Sequence, residues 1–318
     1  MLRQLLILTL LVIPFLGLTA PASAKMMLSP AITAPIVAPP ISDMPPPGVG
    51  HRMPTIPYNL ESNHSAQAHV QILTEATRDF WTYIAVLSIA FIVSGYLSGR
   101  GVIARGWRVG YTRKAQALGL YFLPYVAMQG PSPYSPIMTA TLSLGVFIAL
   151  LILLSSPIRK RVPMLATAFA ANDRPEDRPF TLTWLITSVL AAWGVIVLWL
   201  WLSPHTAGYL FVALVISGIG DALAEPVGLL FGKHPYKARA LGTERNYIRT
   251  YEGSATVFFS GVIAVLMMHG FSMDAEALLA LALFPVVGML AEAKSPHTWD
   301  QPFIMASCAL VAVAISPL

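Results

Sequence analysis

An all-α, polytopic bundle of transmembrane helices is the fold class this sequence predicts, and three observations carry it. Of 318 residues, 56% are hydrophobic and only 11% are charged. Several apolar runs reach the ~20 residues that a helix needs to cross a bilayer. The loops between these runs alternate between basic and uncharged or acidic, as the topology rule for membrane helices demands. The net charge of +5 is no nucleic-acid footprint, because the basic residues sit in short loops. There they set topology and meet anionic lipid or phosphate groups.

Residues 1–24 read as a signal peptide or signal anchor: a positive start at Arg3, an apolar core from Leu5 to Leu18, then Ala22-Ser23-Ala24. Residues 25–79 form a proline-rich, mostly disordered, non-cytoplasmic segment. Pro39-Pro40 and Pro45-Pro46-Pro47 each lack backbone donors and hold the chain extended. The remaining residues, 80–318, are the multi-span domain. About eight spans are expected: Phe80–Ser98, Ala115–Met128, Pro136–Ser156, Thr181–Leu202, Ala207–Ile219, Ser254–His269, Ala277–Leu290 and Phe303–Leu318. Gly99–Lys114 and Pro157–Phe180 are rich in Lys and Arg, whereas Gln129–Ser135, Ser203–Thr206 and Gly270–Glu276 have neither. The alternation puts Gly220–Gly253 and Ala291–Pro302 on the cytoplasmic face of the cell (inner) membrane. Cys308, the single cysteine, reads as a small buried hydrophobe, and Trp184, Trp193, Trp199 and Trp201 as core or interface residues.

The polar island Gly218–Ser254 interrupts this apolar pattern with interleaved acids and bases. A P-loop is excluded because Val227 stands where that motif needs Gly and His234 where it needs Ser or Thr. A dinucleotide fingerprint is excluded because Leu223 stands in place of its third Gly. Asp221 and Glu225, four apart, share one face if the segment is helical. Oxygen ligands of this kind suit Mg²⁺, although capping a helix or pairing with loop arginines explains them equally. Phe231-Gly232-Lys233-His234-Pro235-Tyr236-Lys237, followed by Arg239, Arg245 and Arg249, offers cations for a polyphosphate. The alternative is plain topology, which needs cations but not the interleaved acids. Tyr251-Glu252-Gly253-Ser254 marks re-entry into the membrane, where Ser254 is expected to cap the helix and its first N–H groups to face a phosphate.

At these residues the chain resembles the CTP-dependent polyprenol kinases (dolichol, phytol and phytyl phosphate kinases), relatives of the phosphatidate cytidylyltransferases. The pieces are Gly220-Asp221-Ala222-Leu223-Ala224-Glu225-Pro226-Val227-Gly228, Phe231-Gly232-Lys233-His234 and Tyr251-Glu252-Gly253-Ser254, with order and spacing nearest the phytol kinase-like branch. Ser295-Pro296-His297-Thr298-Trp299-Asp300 resembles that family's last cytoplasmic motif, with Gln301 where Asn is common. Thr112-Arg113-Lys114 resembles its basic start, with Ala117 where a His often stands. The resemblance covers the chain from about Arg113 to the C-terminus. It implies transfer of the γ-phosphoryl group of CTP to a membrane isoprenoid alcohol or its monophosphate. It implies catalytic roles for Asp221, Glu225, Glu252 and Asp300, with Asp221 and Asp300 as Mg²⁺ ligands. Lys233, His234, Lys237, Arg245, Arg249, Gly253 and Ser254 would hold the nucleotide. Partners would be the isoprenoid and membrane lipids, with no nucleic acid. Two rivals stay open: a lipid cytidylyltransferase of the CDP-diacylglycerol synthase type, and a non-catalytic membrane scaffold or transporter.

Overall fold

The computed structural model describes residues 60–117, 132–240, 242–270 and 272–316. The signal segment 1–24, the proline-rich stretch up to residue 59, and most of the run Ala115–Met128 lie outside the described residues. The chain is mostly helical. Helix α1 (Leu60–Arg105) extends the first apolar run in both directions. It is followed by α2, helical over 109–117, and α3 (Pro136–Leu153), whose start is capped by Ser135 accepting from the Met138 amide. A one-turn helix at Ser156–Arg159 and α4 (Pro163–Ala170) occupy the second basic loop. Then come α5 (Thr181–Leu202), α6 (Pro204–Phe231), α7 (Tyr251–His269), α8 (Ala275–Lys294) and α9 (Asp300–Ile315).

Among the described residues, five helices are long and apolar enough to cross a membrane: Gln71–Arg105, Thr181–Leu202, Pro204–Phe231, Tyr251–His269 and Ala275–Lys294. Ile137–Leu153 and Asp300–Ile315 are apolar but shorter. This is the architecture of a helical membrane protein.

Helix α6 is the axis of the bundle. Val212, Ala213, Leu214, Ile216 and Ser217 have no exposed surface, and α7, α8 and α9 all pack on this helix. It is not one regular α-helix. It opens as 3₁₀ at Pro204–Tyr209, runs as α over Leu210–Leu214, widens to a π-turn at Val215–Gly220 and returns to α at Asp221–Phe231. Such π-turns re-aim the following residues and recur at functional sites; here the next residue is Asp221. Trp184, Trp193 and Trp199 face inward while Trp201 is 67% exposed, as expected of core and interface residues. Cys308 is fully buried.

The polar island differs from the expected loop. Its first part continues α6 to Phe231, and its second part is an antiparallel hairpin, β1 (Pro235–Arg239) and β2 (Asn246–Thr250), with Pro235 opposite Thr250 and Arg239 opposite Asn246. The purely all-α expectation therefore misses one two-stranded element. Alternation of period two specifies it: Tyr236, Ala238, Tyr247 and Arg249 turn inward while Lys237 and Ile248 face out. Gly242 (φ 68°) supplies the left-handed residue that the connection requires.

Candidate functional site

Four stretches meet at one end of the bundle: α2, the loop between α4 and α5, the α-helical half of α6, and the junction of α8 with α9. The hairpin lies across them. Each stretch brings charges, and the charges pair between stretches. Arg113 bonds Asp177, Lys114 bonds Asp221 and Arg174 bonds Glu225. Arg249, from β2, sits 3.2 Å from the Glu292 carboxylate and 3.6 Å from that of Asp300, and also donates to the Glu292 carbonyl. Asp177, Asp221, Glu292 and Asp300 are all buried. Uncompensated carboxylates at such depth cost several kcal/mol each, about the size of a domain's whole margin of stability, so the pairings hold this end of the fold together. The five carboxylates Asp177, Asp221, Glu225, Glu292 and Asp300 outnumber the four cations Arg113, Lys114, Arg174 and Arg249 by one.

Burial works to raise the Asp177 carboxyl, but His297, Arg113 and Arg174 outweigh it and hold the group well below the usual carboxylate range. His297 is displaced downward by burial, against the opposing pull of Asp177 and Asp300, and so favours its neutral form.

Beside this network lies a partly enclosed cavity of about 50 Å³. Arg113, Lys114 and Arg174 border one side of it, and Asp221 and Asp300 lie close enough to feel each other's charge. Ala117 and Leu185 give it an apolar wall, and Ser188, His297, Thr298 and Gln301 complete the lining. One water occupies roughly 10–15 Å³ of such space, so the cavity takes a group of a few heavy atoms and not a nucleotide. Ala117 and Gln301 both lie on its wall.

The hairpin is latched over this end by its tyrosine and arginine. Arg245 donates to the carbonyls of Glu176 (2.8 Å) and Arg178 (3.1 Å). The Tyr247 hydroxyl donates to Asp177 at 3.0 Å, and its ring stacks on His297 with centroids 3.7 Å apart. The His297 amide donates to the Arg239 carbonyl at 2.7 Å. Burial and the Asp177 charge both raise the Tyr247 phenol, which therefore stays a donor.

The structure sorts the sequence-predicted site residues into three groups. Asp221, Glu225, Arg249, Ser254 and Asp300 belong to the buried network, and Arg113 reaches the same cavity from α2. Lys233, His234 and Lys237 are exposed on or beside the hairpin, and His234 pairs with Glu252 at 2.7 Å. Glu252 is thus committed to His234 and not to the cations of the buried network. Arg245 is exposed and committed to the loop carbonyls.

Two expectations about the start of α7 are corrected. Thr250, not Ser254, is the N-cap, its hydroxyl accepting from the Gly253 amide at 3.1 Å. Ser254 is one turn further in, donating to Glu292 at 2.9 Å and bonded to the Tyr236 hydroxyl at 2.8 Å. The Gly253 N–H is consequently engaged and does not face a phosphate. Its glycine identity has another cause: a Cβ there would lie 2.7 Å from the Ala224 carbonyl oxygen, so only Gly lets α7 approach α6 this closely.

Sequence reasoning missed Lys114, Arg174, Asp177, Glu292 and His297 as site members. Glu292 carried a usable signal, an acid directly after an apolar span. Arg174 and Asp177 did not, because in a basic loop they are indistinguishable from topology determinants.

No family model, curated protein or solved structure matches the chain.

Proposed function

We propose that this protein is a CTP-dependent lipid kinase that phosphorylates a membrane isoprenoid. The observation that carries the reading is the pair Asp221 and Asp300, buried together on a small cavity bordered by three cations at the polar rim of an apolar bundle. Phosphoryl transfer needs mainly positioning and charge neutralisation; the cavity is suited to the first, and the second would fall to Mg²⁺, because each bordering cation is already paired with a carboxylate. The surplus carboxylate and the neighbouring Asp221 and Asp300 fit a Mg²⁺ ion, which commonly takes one or two protein carboxylates together with substrate phosphates. Among the described residues no group of three or more His, Cys, Asp or Glu side chains is arranged to hold a metal, so Asp221 and Asp300 would be the protein's whole share of a Mg²⁺ shell. Bound Mg²⁺ would supply neutralisation of phosphate charge.

In this reading Lys114 holds Asp221 in place. The acceptor hydroxyl sits in the cavity, and its proton passes to the Asp221–Asp300 pair as its oxygen bonds the γ-phosphorus. The bond from that phosphorus to the β-phosphate oxygen breaks and CDP leaves. The nucleotide exceeds the cavity, so its remaining phosphates and base would lie outside it. The chain crosses the membrane about eight times, with the basic loops and this site on the cytoplasmic face of the inner membrane. Product analysis tests the reaction class. Purified protein with CTP, Mg²⁺ and a panel of isoprenoid alcohols should release CDP; release of pyrophosphate would instead identify a cytidylyltransferase.

A further inference from the structure

Three polar atoms on the cavity wall are left without a hydrogen-bond partner among the described residues: Ser188 Oγ, Thr298 Oγ1 and His297 Nε2, the last 3.7 Å from the Asp177 carboxylate. Ser188 Oγ comes from α5 and Thr298 Oγ1 from the α8–α9 junction; both are hydroxyls without a partner among the described residues, with residue exposures of 3% and 9%. Both residues line the cavity. Leaving a buried hydroxyl without a partner is costly, and these two share one small cavity, where a single bound group would satisfy both. Thr298 is moreover held at φ 70°, in the left-handed region that a β-branched residue rarely adopts.

The charges around the cavity restrict what that ligand is. Every cation on its wall is already bonded to a carboxylate: Arg113 to Asp177, Lys114 to Asp221 and Arg174 to Glu225. None remains to balance a phosphate dianion, whereas a neutral hydroxyl needs only hydrogen-bond partners. Ala117 and Leu185 provide apolar contact for the carbon chain attached to it.

We infer that Ser188 and Thr298 form the acceptor subsite, and that it selects a neutral lipid alcohol over the corresponding monophosphate. This rests on the lipid kinase reading for the identity of the alcohol, but its test does not depend on turnover. Ser188 and Thr298 are specificity residues: they hydrogen-bond the acceptor oxygen and take no part in holding the nucleotide.

Equilibrium binding of tritiated geranylgeraniol to the full-length protein in nanodiscs, without nucleotide, tests the subsite. The alcohol should bind saturably, and unlabelled geranylgeranyl monophosphate should compete at least about tenfold more weakly than unlabelled alcohol, since desolvating its charge goes uncompensated. Ser188→Ala and Thr298→Ala should each weaken alcohol binding about three- to tenfold, the loss of one hydrogen bond. Thr298→Ser should restore wild-type affinity, and labelled CTP should bind Ser188→Ala as it binds wild type. Tryptophan-fluorescence melting establishes that each variant is folded. Monophosphate binding as tightly as alcohol, absence of saturable alcohol binding, or wild-type alcohol affinity in folded Ser188→Ala overturns the inference. The two proposals fail separately. Selective alcohol binding without phosphorylated product defeats the kinase reading alone, and product formation indifferent to Ser188 and Thr298 defeats the subsite alone.

Discussion

Replacing Asp177 by Asn isolates the contribution of the buried charge network. The Asp177 side chain has no exposed surface. It bonds Arg113, accepts from Tyr247 at 3.0 Å and lies 3.7 Å from His297 Nε2. Asn keeps the volume and the capacity to accept from Tyr247 but removes the charge. The Arg113 guanidinium, 12% exposed, then has lost its bonded counter-charge. Removing one partner of a buried ion pair costs roughly 3–5 kcal/mol, and the residual solvent access of Arg113 places the expectation near the lower end. A loss of about 3 kcal/mol lowers the melting temperature of a domain this size by roughly 6–12 °C. Tryptophan fluorescence in detergent reads this directly. Combining Asp177→Asn with Arg113→Met, which removes the orphaned charge, should recover part of the loss. Because Asp177 also anchors Tyr247, trypsin should cleave the hairpin after Arg239 or Arg245 faster in the single variant. An Asp177→Asn protein that melts with wild type, or a double variant less stable than either single, would refute the claim that this pairing holds the loop to the bundle.

Lowering the pH should destabilise the protein in two stages. His297 takes up protons less readily folded than unfolded, so stability falls as pH drops below about 6.5; Asp177, depressed when folded, adds a second loss below about pH 4. His297→Gln should abolish the first stage in melting curves taken between neutrality and pH 5, and an unchanged slope would contradict it. Gly253→Ala should cost about 1–3 kcal/mol by forcing α7 away from the Ala224 carbonyl, and a variant of wild-type melting temperature would show that the contact is soft. Ser254→Ala should cost a similar amount by leaving Glu292 and Tyr236 short of a partner, with little effect on CTP affinity. A large loss of CTP affinity in that variant would return Ser254 to the nucleotide site.

The apolar pattern made the bundle legible, because length and hydropathy act locally along each helix. The island Gly218–Ser254 was legible as a place but not as a structure. Asp221 and Glu225 read as one helix face, and that face exists, directed at Lys114 and Arg174. Which cations they meet depends on α2 and on the α4–α5 loop, far away in sequence, and no local pattern encodes that meeting. Ser254 illustrates the same limit. Ser is a good N-cap in isolation, but Thr250 lies one turn earlier and takes the role, freeing Ser254 to bond Glu292 from another helix. The hairpin was hidden for a different reason: five-residue strands rich in Lys and Arg carry weak β signals, and their stability comes from docking on Asp177 and His297.

The central claim is that Asp221 and Asp300 form the phosphoryl-transfer site. Its most direct measurement is transfer of label from γ-³²P-CTP to geranylgeraniol or phytol by purified protein with Mg²⁺, alongside Asp221→Asn and Asp300→Asn variants whose folding is checked by melting. Labelled lipid phosphate should form with wild type and fall by at least about a hundredfold in each variant, the scale of losing one charge-stabilising group. Equal transfer by folded wild type and either variant, or no labelled lipid from folded wild type, would contradict the account.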